Sequence, residues 1–283
     1  MSKKILTNKE IEILQLILTF RFINSKQIQR FLGHKDHRRV NAWLKDLTQK
    51  EYIVRAFKPI FGTLTKPAVY NLAAKGRAYI KNNYCYSIPY LKRLGSDKDR
   101  SKAFHIKCQL TADCFLILFE DQVGDFSKMI KEWLTVNSLK LLSNRSYFFT
   151  PAFYAFLTED DCILLPQLKP DAYCYKKTSS GITHAFYFCL DSYVPRLILN
   201  YLLKHIFEVL SEEYWEKDDV KSLKFYLICP NNQVIIYFRR LLPSFLERYY
   251  ARTTIFYFAT RNQLYQKRDK GKEIKWITIS SED

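Results

Sequence analysis

The sequence predicts a two-part α+β protein. A small, strongly basic helical module ending in a β-hairpin comes first, and a larger, nearly neutral part follows in which strands and helices alternate around a mixed sheet. Charge and periodicity carry this division. The 283 residues include 45 Lys and Arg against 28 Asp and Glu, a net of +17. Residues 1–102 hold 22 basic and 7 acidic side chains, net +15, whereas residues 103–283 hold 23 and 21, net +2. Apolar residues recur at helical spacing in the first third, and short apolar runs alternate with helical segments in the remainder. A hydrophobic content of 48% with 26% charged residues is ordinary globular usage and excludes wholesale disorder. No apolar run approaches the ~18 residues that span a bilayer, and the start, Met1 to Leu6, has no signal-peptide apolar core, so a cytoplasmic protein is expected.

In the first part, Thr7-Asn8-Lys9-Glu10 opens a helix with a capping residue and an acidic first turn, and Ile11, Leu14, Ile17 and Leu18 follow at helical spacing. Asn24 or Ser25 caps a second helix whose stripe is Ile28, Phe31 and Leu32, and Gly33 closes it. After His34-Lys35-Asp36, a third helix buries Val40, Trp43, Leu44 and Leu47 and presents Arg38, Arg39, Asn41, Ala42 and Lys45. Strands at 52–57 and 68–72 flank a loop from Lys58 to Pro67. Three short helices and a hairpin with a basic tip follow the plan of a winged helix-turn-helix. Its third helix enters the major groove, and its loop cations meet phosphates.

The +15 of this module calls for a polyanion. Double-stranded DNA is the expected partner. A membrane is not, because the cations lie within folded patterns rather than in a polybasic tail. The candidate DNA-contacting residues are Lys26, Lys35, Arg38, Arg39, Asn41, Lys45, Arg55, Lys58 and Lys66. Any one of these alone reads as solvated surface. Their shared face and the local charge excess raise the DNA reading above protein docking. His34 and His37 lack further nearby metal ligands.

Residues 84–102 mix Pro, Gly and alternating charge and read as a linker, giving domains 1–83 and 103–283. A helix is expected from Phe104 to Glu120. Strands are expected at 146–150, 162–165, 172–175, 184–191, 224–229 and 254–259, with helices at 195–211 and 231–250. The order strand, helix, strand, helix, strand over 184–259 implies a partly parallel sheet. The nearly continuous apolar runs 223–229 and 255–258 imply strands covered on both faces. The seven cysteines form no CxxC pair and read as buried thiols. There is no Gly-rich phosphate loop. Cys189 and His184 fall on opposite faces of one strand. At the strand ends, Asp171 and Asp191 are the candidate carboxylates, with Lys204 in the following helix.

The sequence resembles the replication-relaxation family of plasmids and other mobile elements from about Leu6 to Leu264. The resemblance rests on Leu6-Thr7, Ser25-Lys26-Gln27-Ile28, His37-Arg38-Arg39-Val40, Val69-Tyr70-Asn71-Leu72 and Lys75-Gly76. In the second part it rests on His105, Leu168-Lys169-Pro170-Asp171-Ala172, the strand ending in Asp191, and Lys204. It implies a winged helix joined to a domain similar to the restriction-endonuclease fold. In some members that domain resembles relaxases that nick DNA at an origin. Asp171 and Asp191 would then hold Mg²⁺ or Mn²⁺, with Lys204 beside the phosphate. Partners implied are DNA and other mobilisation or replication proteins.

One departure weakens the nicking site. Where the family carries an acid two residues before Asp191, this chain has Cys189, a poor ligand for a hard cation, and Tyr193 stands where a lysine would complete an Asp-x-Lys. Three readings stay open. They are a non-catalytic DNA-binding protein with a degenerate nuclease-like domain and no cofactor, a metal-dependent nicking relaxase, and a winged-helix transcriptional regulator.

Overall fold

A computed structural model describes residues 6–56, 67–83, 101–119, 147–151, 168, 170–179, 181–190, 194–211, 220–249 and 254–280. Lys58, Lys66, Glu120, Asp191, Tyr193 and the strand expected at 162–165 lie outside the described residues. The chain divides into two units, Met1–Asn137 and Ser138–Asp283.

In the first unit, helix α1 (Asn8–Phe20) begins with a reciprocal cap. The Thr7 hydroxyl accepts from the Glu10 backbone N–H, and the Glu10 carboxylate accepts from the Thr7 N–H at 2.7 Å. The helix is buried from Ile13 through Phe20 and forms the centre of the unit. Strand β1 (Ile23–Asn24) leads into α2 (Ser25–Phe31), whose start is fixed by a second such box between Asn24 and Gln27. Asp36 caps α3 (His37–Gln49) through the Arg38 N–H at 2.8 Å. Strands β2 (Ile53–Arg55) and β3 (Val69–Leu72) join β1 in an antiparallel sheet ordered β1-β3-β2.

Helix α4 (Ala74–Asn83) starts against the carbonyl of Tyr52, which accepts from the Ala73 N–H at 3.0 Å. A Cβ at Gly76 would lie 2.1 Å from that carbonyl oxygen, so only glycine permits the approach. The neighbouring Lys75 donates to the Lys50 carbonyl at 2.8 Å, just beyond the end of α3.

Helix α5 (Lys102–Phe119) corrects the expected division at residue 103, because it packs in the first unit. Phe115 meets Phe20 at 5.9 Å and Phe119 at 4.9 Å, while Phe20 stacks on Phe31 at 4.8 Å. The His105 ring stacks on Phe22 at 3.8 Å. Buried Gln27 donates to the Gln109 carbonyl at 2.7 Å and to the Asp113 carboxylate at 2.9 Å. Composition shifts at residue 102; the hydrophobic core does not.

The second unit is built on a six-stranded mixed sheet in sequence order: β4 (Tyr147–Pro151), β5 (Ala172–Thr178), β6 (Gly181–Cys189), β7 (Val220–Cys229), β8 (Thr254–Thr260) and β9 (Ile277–Ser280). β6, β7 and β8 are parallel, and the outer pairs are antiparallel. The parallel pairs need crossovers, supplied by α6 (Arg196–Leu210) and α7 (Asn232–Tyr249). These helices reach one face of the sheet. Phe207 meets Phe256 at 5.7 Å and Phe238 meets Phe258 at 5.4 Å, over a row in which Phe186, Phe225 and Phe256 stack 5.0 Å apart.

On the opposite face Tyr187, Tyr226 and Tyr257 stack at 4.6 Å spacing, with the Trp276 edge against Tyr226. The apolar runs imply full cover on both faces, but Lys224, Tyr226, Ile255 and Tyr257 are only half-buried. The stacked rings shield one another along the sheet, and burial raises the Tyr226 phenol above its usual range. Helix α8 (Arg261–Lys270) and β9 add to the expected elements. The Thr260–Gln263 box and Gly271, at φ 64°, bound that helix.

Candidate nucleic-acid interface

Helix α3 is strongly two-sided. Val40, Leu44 and Leu47 are buried, and His37, Arg38, Arg39, Asn41, Ala42 and Lys45 are exposed. One strip of the exposed side forms the wall of an open groove of about 470 Å³. His37, Asn41, Lys45, Thr48 and Gln49 supply that wall. The rest of the lining comes from Arg55 at the end of β2, Pro67 and Ala68 leading into β3, and Tyr70 within it, with Ser25 at the start of α2. The antiparallel register pairs Arg55 with Tyr70, so two groove residues project from adjacent strands on one face. Burial raises the Tyr70 phenol, with Arg55 opposing, and the hydroxyl stays neutral. Among the described residues that line the groove, Lys45 and Arg55 are its lysine and arginine, and none is a carboxylate.

The structure thus brings together three of the predicted residues, Asn41, Lys45 and Arg55. Lys26, Lys35 and Arg38 are exposed but do not line the groove. Arg39 is placed differently: its guanidinium lies over the Trp43 ring at 5.5 Å, one turn on. Lys50 is also held within the fold. It pairs with Asp46 and with Glu10 at 3.3 Å, and the Asp46 hydrogen bond, ahead of Glu10, raises its ammonium above the usual lysine range. His34 shapes the turn before α3, its Nδ1 3.2 Å from the Asp36 N–H and its ring edge-on to Trp43. Sequence reasoning missed His37, Thr48 and Gln49 as groove residues. The spacing His37, Asn41, Lys45, Thr48 follows one helix face and was the available signal. Ser25 and Tyr70 had no such signal, because only the fold brings them to α3.

The second candidate site has a different character. Asp171 precedes β5, and its Oδ2 accepts from the Cys189 backbone N–H at 2.7 Å, while its own N–H donates to the Tyr187 carbonyl at 2.8 Å. The aspartate therefore stitches the start of β5 to the end of β6. Cys189 is buried, and its sulfur suits a hard cation poorly. Lys204 stands on the exposed side of α6 and pairs with Glu208 at 3.5 Å. Among the described residues no group of three His, Cys, Asp or Glu side chains converges on one point. Asp191, the other carboxylate expected to hold Mg²⁺ or Mn²⁺, lies outside the described residues. Elsewhere in the sheet, burial pushes the Cys229 thiol up to about 12 and holds His184 down to about 4, with the Tyr173 hydroxyl 2.8 Å from His184 Nδ1.

Fold and site define an α+β protein with a groove lined by Lys45 and Arg55 in its first unit and an internally bonded strand-end aspartate in its second. The family model described as replication-relaxation matches residues 14–193, which is 180 of the 283. The chain belongs to that family. The match takes in the whole α3 groove, Asp171 and Asp191 and stops before Lys204, so the resemblance read from the sequence is confirmed over that span. No curated protein matches the chain, and no solved structure does. No helix among the described residues is long and apolar enough to cross a membrane.

Proposed function

We propose that this protein binds double-stranded DNA through the α3 groove and acts in replication or mobilisation of a mobile element, its second unit being a nuclease-like domain that does not cut. The groove carries the reading: Lys45 and Arg55 share a concave surface with no carboxylate among its described lining residues. The order helix, strand, helix, helix, strand, strand with sheet order β1-β3-β2 supports a winged helix, whose third helix is the DNA-reading element. In the second unit, an antiparallel hairpin followed by a helix and a parallel strand supports the nuclease-like reading. The bonded Asp171 and the buried Cys189 argue against metal-dependent cutting.

Two measurements on the full chain test this. Binding to duplex DNA carrying its own origin is titrated between about 50 and 200 mM salt. Affinity is expected to fall steeply, log K declining with log salt by about 0.9 for each phosphate neutralised. A flat response would remove the DNA reading in favour of a protein partner. Supercoiled plasmid is then incubated with the protein and Mg²⁺ or Mn²⁺. No relaxed circle is expected; relaxed product that Asp171→Ala abolishes would replace the non-catalytic reading with a relaxase.

A further inference from the structure

Which groove residue reads sequence, and which only holds DNA, is fixed by the chemistry of the α3 wall. Lysine and arginine serve backbone phosphates at any sequence, and where they reach a base edge they meet guanine O6 and N7. Reading an adenine edge takes a planar group with one donor and one acceptor side by side, to meet N7 and N6; a carboxamide has that shape. The groove contains two carboxamides, Asn41 and Gln49. Gln49 is the last residue of α3, whereas Asn41 is in its second turn, and a recognition helix meets base edges with its N-terminal residues.

Asn41 is also oriented. Its Nδ2 lies 3.2 Å from His37 Nδ1 and 3.5 Å from His37 Nε2, one helical turn away. An amide NH₂ only donates, so the imidazole nitrogen accepts, and His37 holds the amide through one of its two N–H groups. The second N–H and the amide oxygen have no other hydrogen bond among the described residues and leave a donor–acceptor pair in the groove wall.

We propose that Asn41, oriented by His37, is the adenine-reading residue of this protein, while Lys45 and Arg55 hold the phosphodiester strand. This rests on the DNA-binding reading above and adds to it the position and identity of a read base. His37 is a positioning residue, because it acts through Asn41.

The test is selection of randomised duplex DNA by the full chain, followed by sequencing of the bound fraction. The wild-type protein is expected to enrich adenine at one position, and Asn41→Ala to reduce that preference about 5- to 150-fold. His37→Leu is expected to weaken the preference as well, and His37→Gln, whose amide oxygen still accepts from Asn41, to retain it. Lys45→Ala should lower affinity for all sequences alike. Since His37 and Asn41 are exposed, unchanged melting temperatures would show that the variants fold. An unaltered enriched sequence in Asn41→Ala, or a preference lost in Gln49→Ala instead, overturns the assignment while leaving DNA binding intact. Failure of the wild-type chain to bind any duplex overturns both.

Discussion

The α3 groove and the Asp171 corner handle charge in opposite ways. In the groove, Lys45 and Arg55 line a concave surface with no acidic side chain among its described lining residues, so their field is available to an incoming anion. At the head of β5, Asp171 bonds the Cys189 N–H and so closes an inter-strand junction. The same chain contains cations on a concave surface and a carboxylate bonded to its own backbone. A charged residue at a motif position is therefore not yet a site; what its charge already touches decides its use.

The largest expected effect comes from reversing charge in the groove. Lys45→Glu with Arg55→Glu should weaken duplex binding about 100-fold, or about 2.7 kcal/mol, and flatten the salt dependence by two phosphates' worth. Unfolding midpoints should stay within about 0.5 kcal/mol, since both residues are exposed. A comparable loss of stability would mean that the groove cations are structural after all.

The next effect is smaller and falls on stability. Asp171→Ala leaves the Cys189 N–H without its acceptor and should cost about 2 kcal/mol in denaturant unfolding, with DNA affinity unchanged. Asp171→Asn keeps an oxygen acceptor and should recover most of that loss. If the Asp171→Asn change proved as damaging as Asp171→Ala, the negative charge itself would be what the site requires.

The smallest effect concerns pH. Folding holds His184 down to about 4 from an ordinary 6.5, because burial among Tyr173 and Phe186 disfavours the imidazolium. The folded state binds its proton less readily than the unfolded state, so stability falls as pH drops below about 6.5 and stops falling near 4. Between about pH 7 and about pH 6 the loss should be about 0.7 kcal/mol, and His184→Gln should remove this dependence from a denaturation series.

Much of the first unit was legible because its signals are local. The caps at Thr7, Asn24 and Asp36 and the stripe Val40, Leu44, Leu47 all depend on neighbours within one or two turns. The parallel run β6, β7, β8 was legible from the alternation of strands and helices. What escaped depends on partners distant in sequence. β1 has two residues, too few to show a period, and is defined by its pairing with Tyr70 and Val69. Asp171 reads as a ligand in the sequence because the backbone N–H that it bonds leaves no trace there. The contact of the Arg39 guanidinium with the Trp43 ring, four residues on, also went unread, although the spacing is helical.

Helix α5 has one more consequence. Its rings and the Gln27 clamp complete the first unit's core from the far side of the segment 84–100. The core of the unit is thus shared between residues 6–83 and helix α5. A protein severed once between residues 84 and 100 should elute as a single non-covalent complex and keep its grip on DNA. A fragment ending at residue 83 would lack the ring that covers Phe20 and should aggregate. A form of the first unit that keeps this core must therefore include helix α5.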